Sequence, residues 1–224
     1  FCASVAAVPI GSGKWSGIVT KASSGKRRFL ALWFPYLAAD RWRRMGNLAP
    51  ADGVVFTQKQ RGAMRIVAAD EAARAHLGLA LADARARVPD LLAVDDDPVA
   101  DQLLLDRLAD SCDRFTPMVA LDEAALTLDI TGCPHRDGEA GLVEDIEHWA
   151  GRAGMQLRYA LASTPEAAQA LARYQSVPAT DEKAAILRLP IAALRADDET
   201  ELALRRAGLK MIGDLAGRPS APLA

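Results

Sequence analysis

The sequence predicts an α+β domain of ferredoxin-like type, and three observations carry that prediction. Half of the 224 residues are apolar, enough for one substantial core or two small ones. Short apolar runs closed by Gly or Pro alternate with stretches of helical spacing. Their order, strand, helix, strand, strand, helix, strand, helix, is that of a split βαβ sheet.

Residues 1–27 are rich in Gly, Ser and Lys without periodicity and read as a flexible leader. Within them Gly11-Ser12-Gly13-Lys14 lacks the preceding Gly (Val8 stands there) and the following hydroxyl (Trp15 stands there) that a phosphate-cradling loop needs. Arg28 to Phe34 is an apolar run closed by Pro35 and reads as a buried strand. Asp40 to Arg44 is a polar, basic segment, readable as the exposed turn of a helix or as a nucleic-acid contact. Val54–Phe56 and Met64–Ala68 are strand candidates around an Arg61-Gly62 turn. Asp70–Leu77 has helical composition and a Gly78 stop, and a shorter helix spans about Leu81–Arg87 before Pro89.

The acidic run Asp95-Asp96-Asp97 before Pro98 reads as a turn and helix N-terminus, where the helix dipole favours negative charge. From Asp101 to Phe115, Leu104, Leu105, Leu108 and Cys112 mark one face of an amphipathic helix. Met118–Ile130 reads as strands around a turn, with Leu126, Leu128 and Ile130 facing one way. A helix over Glu139–Ala153, a strand over Gln156–Ala162 and a helix over Pro165–Tyr174, with Pro in its first turn, complete the pattern. In the tail, Leu202–Gly208 is a helix stopped by Gly, and Ile212-Gly213-Asp214-Leu215 begins another, a tight helix-hairpin-helix. The expected core includes Phe34, Val55, Ile66, Leu105, Leu128, Ile130 and Leu161.

Charge and composition bound the function. Lys plus Arg (27) nearly balances Asp plus Glu (29), so any contact with nucleic acid comes from local patches. Cys2, Cys112 and Cys133 are odd in number and far apart, against a disulfide framework, and a reducing cytoplasm fits them. No apolar run reaches the roughly 18–20 residues that span a bilayer, so no membrane association is expected. A chain that begins at Phe1 and stops just after a Pro-containing stretch reads as part of a longer product. Cys133-Pro134-His135, His76 and His148 have too few partners nearby for zinc, and no metal is assigned. No Gly-x-Ser-x-Gly word points to a serine nucleophile.

Several words, in this order and spacing, resemble Y-family translesion DNA polymerases of the UmuC/DinB kind, and within them the catalytically degenerate ImuB type. They are Leu30-Ala31-Leu32-Trp33-Phe34-Pro35 with Asp40-Arg41, Arg61-Gly62, Val88-Pro89-Asp90-Leu91 and Phe115-Thr116-Pro117-Met118-Val119. Leu121-Asp122-Glu123-Ala124, Leu128-Asp129-Ile130-Thr131-Gly132 and Ala207-Gly208-Leu209 with Ile212-Gly213-Asp214-Leu215 continue the match, which covers about residues 28–217. The resemblance implies a ferredoxin-like βαββαβ palm over 28–39 and 98–180, inserted fingers over 40–97, and a partial helical thumb over 181–224 holding the helix-hairpin-helix. The family's little finger is absent.

Nucleotidyl transfer requires carboxylates from separate strands to hold two ions about 3.5–4 Å apart. Where the family carries its first acid, this chain has Ala31-Leu32-Trp33-Phe34, apolar throughout. The second cluster survives as the acidic pair Asp122 and Glu123, either a residual metal ligand or a solvated turn. The family's triphosphate-binding Tyr and Arg fall on Ala72 and Ala75, with Arg74 nearby, and its Asn-Lys pair on Thr164-Pro165. These losses imply a DNA-binding adaptor without catalytic residues or cofactor. The alternative is an active low-fidelity polymerase using Mg²⁺ on Asp122, Glu123 and a further acid such as Asp40 or Asp129.

The implied partners are primer-template DNA gripped independently of sequence, a sliding clamp, a RecA-like accessory protein and an error-prone polymerase, in the bacterial cytoplasm at the nucleoid. Helix-hairpin-helix elements hold the duplex backbone through amides and cations, and Arg205, Arg206, Gly208, Lys210 and Gly213 are the candidates here.

Overall fold

Residues 27–176 and 181–217 are described by a computed structural model, and the chain divides into two units. The leader up to residue 26, with its glycine-lysine word, lies outside the described residues, as do 177–180 and 218–224. The first unit opens with strand β1 (Phe29–Trp33), after which the chain leaves it for residues 34–111 of the second.

In the second unit, Pro35 ends the extended run and helix α1 (Leu37–Arg44) follows. Strands β2 (Val54–Gln60) and β3 (Ala63–Ala69) form an antiparallel hairpin. Its two loop residues, Arg61 (φ 50°) and Gly62 (φ 83°), both take the positive φ that a tight right-twisting hairpin demands. Helix α2 (Leu81–Arg87) leads to β4 (Leu92–Asp95), parallel to β2, giving a three-stranded sheet in the order β3-β2-β4. Helix α3 (Pro98–Ser111) closes this stretch.

The short β4 was not expected, although the acidic run at its end does lead into the N-terminus of α3, where Asp97 accepts from the Ala100 amide at 3.0 Å, and Asp70–Leu77 was expected as a helix. In place of that helix the structure has turns and one 3-10 turn over Arg74–His76. The cause is Asp70, which is buried and accepts a hydrogen bond from the Ala73 amide at 3.0 Å, holding the backbone in a local turn. Gly53 makes room for it, because a Cβ there would lie 2.3 Å from the Asp70 carboxylate. Val55, Ile66, Ala69, Ala73, Ala84 and Leu91 fill one side of the small sheet, and Tyr36, Ala38, Ala39, Val54 and Phe56 the other.

The chain returns to the first unit with β5 (Val119–Asp122) and β6 (Ala125–Asp129). Helix α4 (Gly138–Arg152) begins in this unit, and its residues from Val143 onward belong to the second. Strand β7 (Arg158–Ala162) and helix α5 (Pro165–Tyr174) follow, with the Thr164 hydroxyl capping α5 through the Ala167 amide at 3.2 Å. The four strands are antiparallel throughout and lie in the order β5-β6-β1-β7, the strand order of a split βαβ sheet.

Side-chain alternation along β1 sorts the two faces of this sheet. Phe29 and Ala31, with Ala160 and Ala162 of β7, pack on Ala168, Leu171 and Ala172 of α5. Small residues at these positions let the helix approach closely. Leu30, Leu32, Leu126, Leu128 and Leu161 point to the opposite face and are buried there. Helix α6 (Glu182–Leu187) and a 3-10 turn over Ile191–Leu194 cover the α5 side through Ala185, Leu189 and Ala193. Two short helices, α7 (Asp198–Arg206) and α8 (Ile212–Ala216), end the described chain.

All seven residues expected in the core are buried. Leu128→Ala and Leu161→Ala should each lower unfolding stability by about 2–5 kcal/mol in urea titrations. Leu121→Ala, at a position 45% exposed on the edge strand, should change it by about 0.5 kcal/mol or less.

Candidate functional site

Hairpin β5–β6 presents Asp122 and Glu123 at one end of the four-stranded sheet. The pairing register runs Asp122 to Ala125, Ala125 to Trp33 and Trp33 to Arg158, so these four stand in one row across all four strands. An acid on β1 facing the same side as Asp122 would have to occupy Phe29, Ala31 or Trp33, and none is acidic. The Arg158 guanidinium lies 5.6 Å from the Trp33 ring centroid, a cation over an aromatic face.

Asp122 is held by two arginines. Arg195, just past the 3-10 turn, grips it in a bidentate pair, Nη2 donating to Oδ1 at 3.1 Å and Nη1 donating to Oδ2 in a shorter contact. Arg173 of α5 donates through Nη2 to Oδ2 at 3.3 Å and to the Glu123 carbonyl at 2.6 Å. The hydrogen bond from Arg195 holds the Asp122 carboxyl below its ordinary range, against a smaller opposing push from burial. Glu123 is exposed. Ala124 turns the hairpin with φ 48°, a left-handed conformation uncommon for a residue bearing Cβ.

The other acids considered as ligands lie elsewhere. Asp129 pairs with Phe29, at the opposite end of β1 from Trp33, and its carboxylate accepts from the Thr131 amide at 2.9 Å. Asp40 belongs to the second unit, where α1 buries it rather than exposing it as its polar neighbours suggested. There it accepts from the Gln156 amide at 2.7 Å and from Arg43 at 3.2 Å, while Arg43 also donates to Asp70 at 2.8 Å. Desolvation raises the Asp40 carboxyl above its usual range despite these bonds. Among the described residues no group of three or more His, Cys, Asp or Glu is arranged to hold a metal ion. The donors present do not fit a two-metal site: both oxygens of Asp122 accept from guanidinium groups, Glu123 lies on the same hairpin, and β1 offers no acid.

Ala72 lines an open cavity of about 650 Å³ in the second unit together with Arg43, Asn47, Asp70, Glu71 and Gln156. Its one cation, Arg43, is already engaged by two carboxylates. Arg74 and Ala75 are exposed, and Thr164 spends its hydroxyl on the α5 cap. Burial pushes the Cys112 thiol up to about 12, which leaves it an inert core group.

Arg205, Arg206 and Lys210 are exposed around the α7–α8 connection, with Arg205 pairing to Glu201 at 2.7 Å. Gly208 (φ 81°) ends α7 in a paired-bond cap, its amide donating to the Arg205 carbonyl and the Leu209 amide to that of Leu204. The Lys210 and Met211 amides donate to the Asp214 carboxylate at 3.0 and 2.8 Å. Gly213 is a close approach: a Cβ there would lie 2.9 Å from the Leu187 carbonyl oxygen of α6. Arg173 and Arg195, which define the site, carried no signal in the sequence, lying 51 and 73 residues from Asp122 in the chain.

No protein-family model matches the chain. Over 153 residues it is 44% identical to Protein ImuB of Caulobacter vibrioides, a match found in two strains. The aligned stretch is 66% of this chain and 33% of the relative, so the chain spans about a third of the length of the curated relatives it matches. Its fold superposes on DinB of Sulfolobus solfataricus with a TM-score of 0.68 and 15% identity, over 86% of this chain and 60% of that one. An insertion ternary complex of Dbh DNA polymerase gives 0.70 and 12% identity, over 86% and 61%. A Y-family DNA polymerase chimera containing Dbh gives 0.66 and 13%, over 86% and 61%. The chain is ImuB-like and carries a Y-family polymerase fold. In this ImuB-like chain, the hairpin that bears Asp122 is the one whose word resembled the family's acidic motif.

The Asp122 and Asp40 carboxyls should give opposite pH signatures. Asp122 titrates lower in the folded than in the unfolded state, so its stabilisation is present above the unfolded value of about 3.9 and lost as pH falls through the folded value. Asp40 titrates higher when folded, so its contribution is present below about 3.9 and lost as pH rises through the folded value. In urea midpoints measured from pH 3 to 7, Asp122→Asn should remove part of the loss of stability on the acid side, and Asp40→Asn should remove the loss that accompanies rising pH above about 3.9.

Proposed function

We propose that this ImuB-like chain is the polymerase-like part of a non-catalytic, DNA-binding adaptor in translesion synthesis, serving the SOS response to damaged DNA. The observation that carries the reading is the row at the sheet end, where the β1 position in line with Asp122 is Trp33 rather than an acid and Asp122 itself is paired with Arg195 and Arg173. Two-metal chemistry needs ionised carboxylates with free lone pairs on both strands. Here the acids lie on the β5–β6 hairpin alone, as Asp122 and Glu123, and both oxygens of Asp122 already accept from guanidinium groups.

An adaptor of this kind keeps the surface that meets primer-template and leaves synthesis to an error-prone polymerase it recruits. A sliding clamp and a RecA-like accessory protein are the further partners the role calls for, in the cytoplasm at the nucleoid. DNA would be met through backbone phosphates by Arg205, Arg206 and Lys210 near Gly208 and Gly213. With a net charge of −2, that contact is local, weak and independent of base sequence.

Primer extension decides the first part. The chain, supplied with primer-template, all four nucleotides and Mg²⁺ or Mn²⁺, should add no nucleotide. Extension that disappears in Asp122→Ala would instead establish an active low-fidelity polymerase. For the second part, titration of labelled primer-template at several salt concentrations should give a steep slope of log affinity against log salt. Arg205→Ala/Lys210→Ala should flatten it by about two units, roughly one per lost phosphate contact. An unchanged slope moves the contact to other cations, such as Arg41, Arg43 and Arg44.

A further inference from the structure

We infer that Arg195 and Arg173 are built-in counter-cations of Asp122: guanidinium groups take the place a divalent ion would need, and in doing so fasten the Ile191–Leu194 turn to the β5–β6 hairpin. The site is rebuilt around tethered charge, so restoring an acid to β1 would not by itself restore a metal site. This deepens the non-catalytic reading of the same residues, on which it rests.

Three observations support it. Both Asp122 oxygens accept guanidinium hydrogen bonds, Oδ1 from Arg195 and Oδ2 from Arg195 and Arg173, so a metal ion approaching this carboxylate meets two positive charges already held against it. Arg195 reaches the carboxylate from a left-handed backbone conformation, φ 52°, which a residue with a side chain seldom adopts without a surrounding constraint. Arg158 adds a third guanidinium to the same row, over Trp33, so an ion placed between Asp122 and β1 would face fixed positive charge from several directions. Bidentate arginine also fixes direction as well as charge, which a spherical ion does not.

The consequence is a specific order of effects. With Trp33→Asp alone, Arg158 should pair with the new carboxylate while Arg195 stays on Asp122, and Mn²⁺ should bind poorly. Trp33→Asp/Arg195→Gln should bind Mn²⁺ at least tenfold more tightly than Trp33→Asp, read as loss of the free-ion signal in electron paramagnetic resonance of the whole chain. Equal binding by the two variants, or no binding by the double variant, overturns the inference. A second measurement does not depend on tolerance of an acid at position 33. In urea unfolding, Asp122→Asn should lower the midpoint of the parent chain, and the loss should fall by at least half in an Arg195→Gln background. The same loss in both backgrounds overturns the inference. Primer extension by the unaltered chain would sink the adaptor reading, whereas these Mn²⁺ and coupling results bear on the arginine pair.

Discussion

Strand β1 is hydrogen-bonded along both edges and covered on both faces, and this constrains every other part of the first unit. A strand so placed has no side open to water, so its side chains must be apolar or fully paired. The residues from Phe29 to Trp33 meet that demand with apolar groups alone. Alanine at 31, 160 and 162 then lets α5 sit close on one face, while leucines at 30, 32, 126, 128 and 161 pack the other. An acid at position 31 would be an uncompensated charge with 1% exposure unless cations were supplied to it. Packing and the absence of an acid are therefore one fact about the same strand.

Once β1 carries no charge, Asp122 needs a different partner. Its side chain is 22% exposed, too covered for water alone to serve it well and open enough that an ion pair is not heavily penalised by desolvation. Arginines from α5 and from the segment after the 3-10 turn supply that partner. The second unit solves a related problem with the opposite stoichiometry. There one cation, Arg43, serves two buried acids, Asp40 and Asp70, and backbone amides of Gln156 and Ala73 make up the remainder. The lowered Asp122 carboxyl and the raised Asp40 carboxyl follow from that difference: ample guanidinium at a partly open site, scarce guanidinium at a closed one.

Sequence was most informative where the signal is local. Helices α2 and α5 have the expected limits, Leu81–Arg87 and Pro165–Tyr174, because Pro and a hydroxyl cap or a following Pro punctuate them. Hairpin β2–β3 was legible from Arg61-Gly62, and the core positions from alternation. Reading failed where tertiary contact overrides composition. Asp70–Leu77 looked helical, yet a buried Asp70 captures its backbone in a turn. Asp40 looked exposed among arginines, yet the Gln156 amide draws it inward. The missing acid on β1 was visible in one line of sequence. The arginine pair on Asp122 was not, since no spacing rule connects positions 122, 173 and 195.

The α7–α8 segment shows how the same residues divide between architecture and recognition. Gly208 and Gly213, expected to bring amides near phosphates, each have a structural reason to be glycine: one ends α7 with positive φ, the other lets α8 touch the Leu187 carbonyl. The amides of Gly208, Leu209, Lys210, Met211 and Ile212 all donate within the chain, to Arg205, Leu204, Asp214 and Leu189. A backbone phosphate nest built from these five amides would have to break existing bonds, so a phosphate contact by this segment falls mainly to side chains. Of those, Arg205 is shared with Glu201 on an exposed helix face, a pair weak enough for a phosphate to displace. Such a contact is nearly pure side-chain electrostatics, which is why salt rather than base sequence is the variable that reports on it.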